Sequence, residues 1–188
     1  GMTMIDDIKS QLKRSSETIA NIDPDQVLAA ANLCVESIRN GGQIIFMGNG
    51  GSSADAQHIA AELSGRYMME RPALPSICLS NIAPVTAIGN DYSYDIVFKR
   101  QIEANCRKGD VVVGLSTSGN SKNVVLAMEA AKERGAKLLT FTGDGGKMRD
   151  MADVAVVIPS KETPRIQEGY LCACHIMCGL IEQILYGQ

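Results

Sequence analysis

The chain has 188 residues, with 18 Lys and Arg against 21 Asp and Glu, two His, six Cys, no Trp and 45% apolar residues, which predicts one ordinary globular domain over 1–188. A net charge of −3, with no block of like charges, excludes the broad basic surface of a protein that wraps nucleic acid or rests on an anionic membrane. No run reaches the roughly 20 apolar residues of a membrane span, and the first residues carry neither the basic region nor the apolar core of a signal, so the expectation is a cytoplasmic protein.

Two helices are predicted first, over 4–20 and 25–40, the second opening at Pro24 and Asp25 and closing at Gly41-Gly42. From Gln43 to about residue 160 the pattern changes to short apolar runs: Ile44–Met47, Ser76–Leu79, Val111–Leu115, Leu138–Phe141 and Val154–Ile158. Continuous Val, Ile and Leu without polar alternation suit parallel strands covered on both faces. The stretches between them predict helices over 53–65, 83–89, 95–107, 121–134 and 146–151. The fold class is therefore α/β, a doubly wound αβα sandwich around five parallel strands. The last segment, 165–186, is apolar on nearly all sides, with Ile166, Leu171, Ile176, Met177, Leu180, Ile181 and Ile184 among its residues. Such a helix must be covered all round, which predicts a homo-oligomer formed through it.

The cysteines at 34, 78, 106, 172, 174 and 178 have neither zinc-ribbon spacing nor the density of a secreted disulfide scaffold. They read as free thiols. Cys172, Cys174 and Cys178 beside His175 lie in an apolar helical run, where packing is the ordinary role.

Two turns share one design. Strand 44–47 runs into Gly48-Asn49-Gly50-Gly51-Ser52-Ser53 and then a helix, and strand 111–115 runs into Ser116-Thr117-Ser118-Gly119-Asn120-Ser121 and another. A turn from a parallel strand into a helix presents free N–H groups and the positive end of the helix dipole to an anion. Helix capping accounts for one hydroxyl per turn, not for four in 116–121. Neither turn is a nucleotide site by pattern: no Lys-Ser/Thr follows the glycines, and Ser53 stands at the third glycine position of GxGxxG. A phosphate on a small molecule fits better.

In the helix after the first turn, His58 and Glu62 are four residues apart and share a face with Asp55. Such a pair can share a proton or hold a divalent ion, or it can be a surface pair contributing a few tenths of a kcal/mol. His175 lies within the apolar terminal helix, where a hydrogen-bonded core histidine competes with a residue at a subunit boundary. Gln167 is eight residues earlier, about 12 Å along a helix, so one site touching both is more easily supplied by two subunits.

The set Gly48-Asn49-Gly50-Gly51-Ser52, Asp55 through Tyr67, Gly89-Asn90-Asp91, Ser116 through Ser121, Thr142 through Met148, and Arg165-Ile166-Gln167-Glu168 with His175 resembles the phosphoheptose isomerases, enzymes of the sugar isomerase (SIS) fold. The resemblance spans the chain. It implies the flavodoxin-like strand order and a homotetramer whose N- and C-terminal helices form a bundle, with active sites between subunits. It also implies aldose–ketose isomerisation of D-sedoheptulose 7-phosphate to D-glycero-D-manno-heptose 7-phosphate through an enediol, the first step toward nucleotide-activated heptose for lipopolysaccharide and other surface glycans. By position it makes Glu62 the base and His175 the acid, and His58, Glu62, Gln167 and His175 the ligands of one Zn²⁺. It assigns Asn49, Gly50, Gly51, Ser52, Glu62, Asn90, Asp91, Ser116, Thr117, Ser118, Ser121 and Gln167 to substrate and phosphate. The reaction needs a base beside the carbon and an acid near the oxygen, with the phosphate as anchor; a Gln ligand is unusual for zinc.

Thr163-Pro164 stands where some members carry an acidic residue before the Arg, which removes a polar contact. The chain also resembles the non-enzymatic SIS homotetramer that binds the bacterial replication initiator. That relative lacks the Glu and His at the positions of Glu62 and His175. An isomerase or binder of another sugar phosphate is the remaining alternative.

Overall fold

The computed structural model describes residues 1–187. Two helices lead, α1 (Met4–Ala20) and α2 (Pro24–Arg39), followed by β1 (Ile44–Gly48), α3 (Gly51–Ser64), β2 (Ser76–Cys78) and α4 (Ile82–Asp91). A single 3₁₀ turn (Tyr94–Ile96) leads into α5 (Val97–Asn105), then β3 (Val111–Ser116), α6 (Lys122–Glu133), β4 (Lys137–Thr142), α7 (Met148–Met151), β5 (Val154–Val157) and α8 (Thr163–Tyr186). Local chemistry sets many of these limits. Thr3 and Asp6 cap α1 reciprocally, and Asp23 caps α2 ahead of Pro24 at its first turn.

The strands form one parallel sheet in the order β2-β1-β3-β4-β5, the order expected. In register, Gly48 at the end of β1 lies beside Leu115 at the end of β3. β1 and β3 are buried throughout, but β2 is shorter than its apolar run, and Ile77 on it is exposed. An edge strand has a neighbour on one side only, so its residues lack full cover. The expected helix 95–107 divides into the 3₁₀ turn and α5.

Two apolar layers flank the sheet. One joins Ile44 and Phe46 of β1 to α2, α3 and α8, and the other joins Ile45 and Met47 to α5, α6 and α7. Alternating side chains of one strand thus feed both layers. The helices after β1 and β3 consequently lie on opposite faces, and the crevice between those two strand ends is the topological switch point of the sheet. In open α/β sheets ligands bind there.

α8 is long and apolar enough by length and composition to cross a membrane. It is nevertheless a core helix on one side, packed on α1, α2 and α3 through Ile166, Tyr170, Ala173, Cys174, Met177 and Ile181. Its Glu182 is buried and paired with Arg71, Nε to Oε2 at 2.8 Å. The opposite side leaves Ile176 exposed and Leu171, Cys172, Leu180, Ile184 and Leu185 half-buried. All six cysteines are free.

Arg71 also donates to the carbonyls of Glu62, Leu63, Gly65 and Pro72, and Glu182 accepts from the backbone N–H groups of Tyr67 and Met68. Burial alone would raise the Glu182 carboxyl; the Met68 and Tyr67 N–H groups and Arg71 outweigh it and hold it below its ordinary 4.5. A depressed pKa stabilises the fold above the unfolded value, and that contribution is lost as pH falls through the folded one. Glu182→Ala is expected to cost roughly 3–5 kcal/mol, because Arg71 stays buried without its anion. Urea unfolding should also show the variant losing less further stability than wild type as pH drops below 4.5.

Candidate active site

At the end of β1 the chain turns sharply: a Cβ on Gly48 would stand 2.9 Å from the Ser52 carbonyl carbon. Gly50 follows with φ of 55° as the residue before α3. The N–H groups of Gly50 and Gly51 sit at a helix N-terminus, where no intrahelical acceptor exists. Ser52 is buried, with its hydroxyl hydrogen-bonded to that of Tyr170 from α8. Its hydroxyl holds α3 to α8. Burial, set against that hydrogen bond, pushes the Tyr170 phenol up to about 12.

The turn after β3 gathers hydroxyls. Ser116 Oγ lies 2.7 Å from Ser121 Oγ and 3.4 Å from Ser118 Oγ, and it accepts from the Gly119 N–H at 3.1 Å. The turn is braced from behind. Gly119 has φ of 68°, and a Cβ there would meet the Gly145 carbonyl oxygen at 2.6 Å, so the loop 143–147 packs directly on its backbone. Thr117 and Ser118 open onto a cavity of about 240 Å³ bounded by Asp144, Ser160, Lys161 and Thr163; for Ser160 and Lys161 the sequence offered no signal.

The two turns are joined across the switch point. Asn49 Nδ2 donates to Asn123 Oδ1 at 2.8 Å, and Asn123 Nδ2 donates to Asn49 Oδ1 at 2.9 Å. Asn123 is buried in the first turn of α6. Nothing in the sequence couples it to a residue 74 positions away.

Near the other end of α3, three titratable side chains converge. Glu62 Oε2 lies 3.6 Å from His58 Nε2 and 3.3 Å from His175 Nε2. The imidazoles meet edge to face with centroids 4.9 Å apart, and Tyr67 stacks on His175 at 5.5 Å. The imidazole approaches at 3.6 and 3.3 Å both fall on Oε2. Asp55, one turn before His58, is half-buried; burial raises its carboxyl against the pull of His58 and His175. A groove of about 450 Å³ along Tyr67, Met68, His175 and Gly179 opens the cluster to one side.

One nitrogen or oxygen from each of His58, Glu62 and His175 lies within 4.8 Å of the others. A tetrahedral zinc with bonds of roughly 2.0–2.2 Å needs ligand atoms about 3.3–3.6 Å apart. The two imidazole–carboxylate distances meet that requirement, so the donor set fits a divalent ion. Gln167 is elsewhere. Its Nε2 lies 3.1 Å from where a Gly51 Cβ would be, at the N-terminal end of α3, so this chain does not bring it to the three. Asn90 and Asp91 are exposed at the end of α4, with Asn90 Nδ2 donating to Asp91 Oδ1 at 3.2 Å. Among the described residues, neither hydrogen-bonds to the turns.

The SIS domain model matches residues 6–143. A phosphoheptose isomerase of Pelobacter propionicus is 50% identical, over 97% of this chain and 100% of that protein. Solved structures of phosphoheptose isomerases superpose closely: that from Francisella tularensis with a TM-score of 0.92 at 34% identity, covering 97% of this chain and 100% of that one, and that from Neisseria gonorrhoeae with 0.89 at 41%, covering 96% and 100%. Identity of this extent, carried over the N-terminal helices, the switch-point turns and α8 together, establishes that the chain belongs to the SIS domain family, among its phosphoheptose isomerases.

Proposed function

We propose that the protein interconverts D-sedoheptulose 7-phosphate and D-glycero-D-manno-heptose 7-phosphate, supplying the nucleotide-activated heptose of surface glycans. The observation that carries this reading is the convergence of Glu62 and His175 from two helices, 113 positions apart in the chain, on one spot beside an open groove. Family membership supports the substrate. A protein that only binds a partner has no use for this acid–base pair.

The step moves one proton between adjacent carbons. Glu62 takes it from the hydroxymethyl carbon of the ketose as an N–H of His175 gives a proton to the carbonyl oxygen, forming the enediol. Glu62 then returns its proton to the neighbouring carbon while the other hydroxyl loses its own to His175, and the aldehyde results. Oε1 is the basic oxygen in this account, because Oε2 faces both imidazoles. The free N–H groups of the two turns and the Ser116–Ser121 hydroxyls hold the phosphate, an anchor whose binding energy orients the carbon under attack. His58, Glu62 and His175 would hold Zn²⁺, with Gln167 of a second subunit as a further ligand. The ion when bound supplies Lewis-acid stabilisation of negative charge on sugar oxygens.

We further propose a homotetramer in the cytoplasm with its sites between subunits. Reach supports the shared site. Gly51 and Glu62 are eleven residues apart on α3, roughly 16 Å. An extended chain gains roughly 3.3–3.6 Å per three bonds, so seven carbons and a phosphate ester span about 10 Å. One substrate is too short to join the anion turn of a chain to the Glu62 of that same chain. The apolar side of α8 and the exposed Met4, Ile5, Ile8 and Leu12 of α1 supply the surface for such an assembly.

With sedoheptulose 7-phosphate in D₂O, wild type is expected to incorporate deuterium at the isomerised carbon. Glu62→Gln should slow this by at least about a hundredfold with phosphate affinity nearly unchanged; normal turnover in that variant would remove Glu62 from its role. In calorimetry after chelation, one Zn²⁺ per chain is expected to bind, at least about tenfold more weakly in His58→Ala; equal affinity in both proteins rules out the three-residue site. Gln167→Ala and His175→Ala proteins, each inactive alone, should regain activity when unfolded and reassembled together, whereas sites built within one chain would regain none.

A further inference from the structure

We infer that Tyr94 and Asn123 are positioning residues that hold the Asn49 carboxamide as a hydrogen-bond donor at the switch point, its free N–H serving an oxygen of the sugar phosphate. This rests on the reading above, in which the turn at Asn49 receives the substrate. A carboxamide oxygen has two lone pairs and its nitrogen two hydrogens. On Asn49 the oxygen is filled twice: Asn123 Nδ2 donates to it at 2.9 Å and the Tyr94 hydroxyl at 2.8 Å. One hydrogen of Asn49 Nδ2 goes to Asn123 Oδ1. Among the described residues the second has no acceptor, and Asn49 is only half-buried.

Tyr94 decides which way the carboxamide faces. The two amides alone form a reciprocal pair that would be equally satisfied if both were turned over, which would offer an incoming anion a carbonyl oxygen instead of an N–H. A phenol donates a hydrogen bond better than it accepts one. Tyr94 therefore favours the orientation with oxygen toward itself, and the N–H remains for the ligand. The device also couples structure, because Asn123 belongs to the first turn of α6 and Asn49 adjoins the first turn of α3. Both anion-binding helix ends thus move as one piece. Lys122, beside Asn123, pairs with Asp95, beside Tyr94, at 3.2 Å, which ties the start of α6 to the 3₁₀ turn that carries Tyr94.

Tyr94 is 57% exposed, so Tyr94→Phe removes the hydroxyl with little consequence for folding. The test is a double-mutant cycle of Tyr94→Phe and Asn49→Ala, read as dissociation constants for sedoheptulose 7-phosphate by calorimetry and as KM and kcat. Tyr94→Phe is expected to weaken binding and raise KM about three- to tenfold, with kcat within about twofold and melting temperature unchanged. In the Asn49→Ala background the same substitution should do nothing more. An equal effect in both backgrounds, or none in wild type, overturns the positioning role. A wild type that binds the sugar phosphate without converting it overturns the isomerase reading instead, and the cycle on dissociation constants still decides the role of Tyr94.

Discussion

The geometry of the His58, Glu62 and His175 cluster depends on one buried ion pair. Arg71 and Glu182 have almost no exposed side-chain surface, and removing both charges from water is costly unless every donor and acceptor finds a partner. Here they do. Arg71 spends its remaining donors on carbonyls at the end of α3, where helices leave such groups unsatisfied, and Glu182 takes the backbone N–H groups of Tyr67 and Met68. The pair is thus a C-terminal closure for α3 and a fastening of that closure to α8. Glu62 contributes one of the bound carbonyls, Tyr67 stacks on His175, and α8 carries both His175 and Glu182. A shift of α8 along α3 would break the ion pair and separate the titratable groups together.

A second fastening works at the opposite end. The Tyr170 hydroxyl meets that of Ser52 inside the protein, and Gln167 lies against Gly51. α3 and α8 therefore run side by side in the same direction, with the glycine turn after β1 at one end and the His58, Glu62 and His175 cluster near the other.

The turns themselves depend on close backbone packing. Gly119 has no room for a side chain against the Gly145 carbonyl, so the hydroxyl-rich loop after β3 is held by the loop after β4. The reciprocal amides of Asn49 and Asn123 add a cross-link at the point where the helices part to opposite faces of the sheet. Rigid donors need no reorganisation when an anion arrives.

Much of this was legible in the sequence because it is local. Apolar runs of strand length, glycine–hydroxyl turns and capping residues fix the elements, and four-residue spacing on a helix places His58 beside Glu62 whatever surrounds it. The edge position of β2, the buried hydroxyl of Ser52 and the break at the 3₁₀ turn were not legible, since each depends on what packs alongside. The same holds for the contacts on which the site turns: Glu62 with His175, Arg71 with Glu182, Asn49 with Asn123. Each joins residues on different elements, and spacing along the chain carries no information about the rotation and register with which two helices meet. The sequence by itself determined the sheet, its turns and the chemical character of the groups. Only the tertiary structure decided which of those groups touch, because burial and mutual satisfaction of hydrogen bonds select among arrangements that local geometry leaves equivalent.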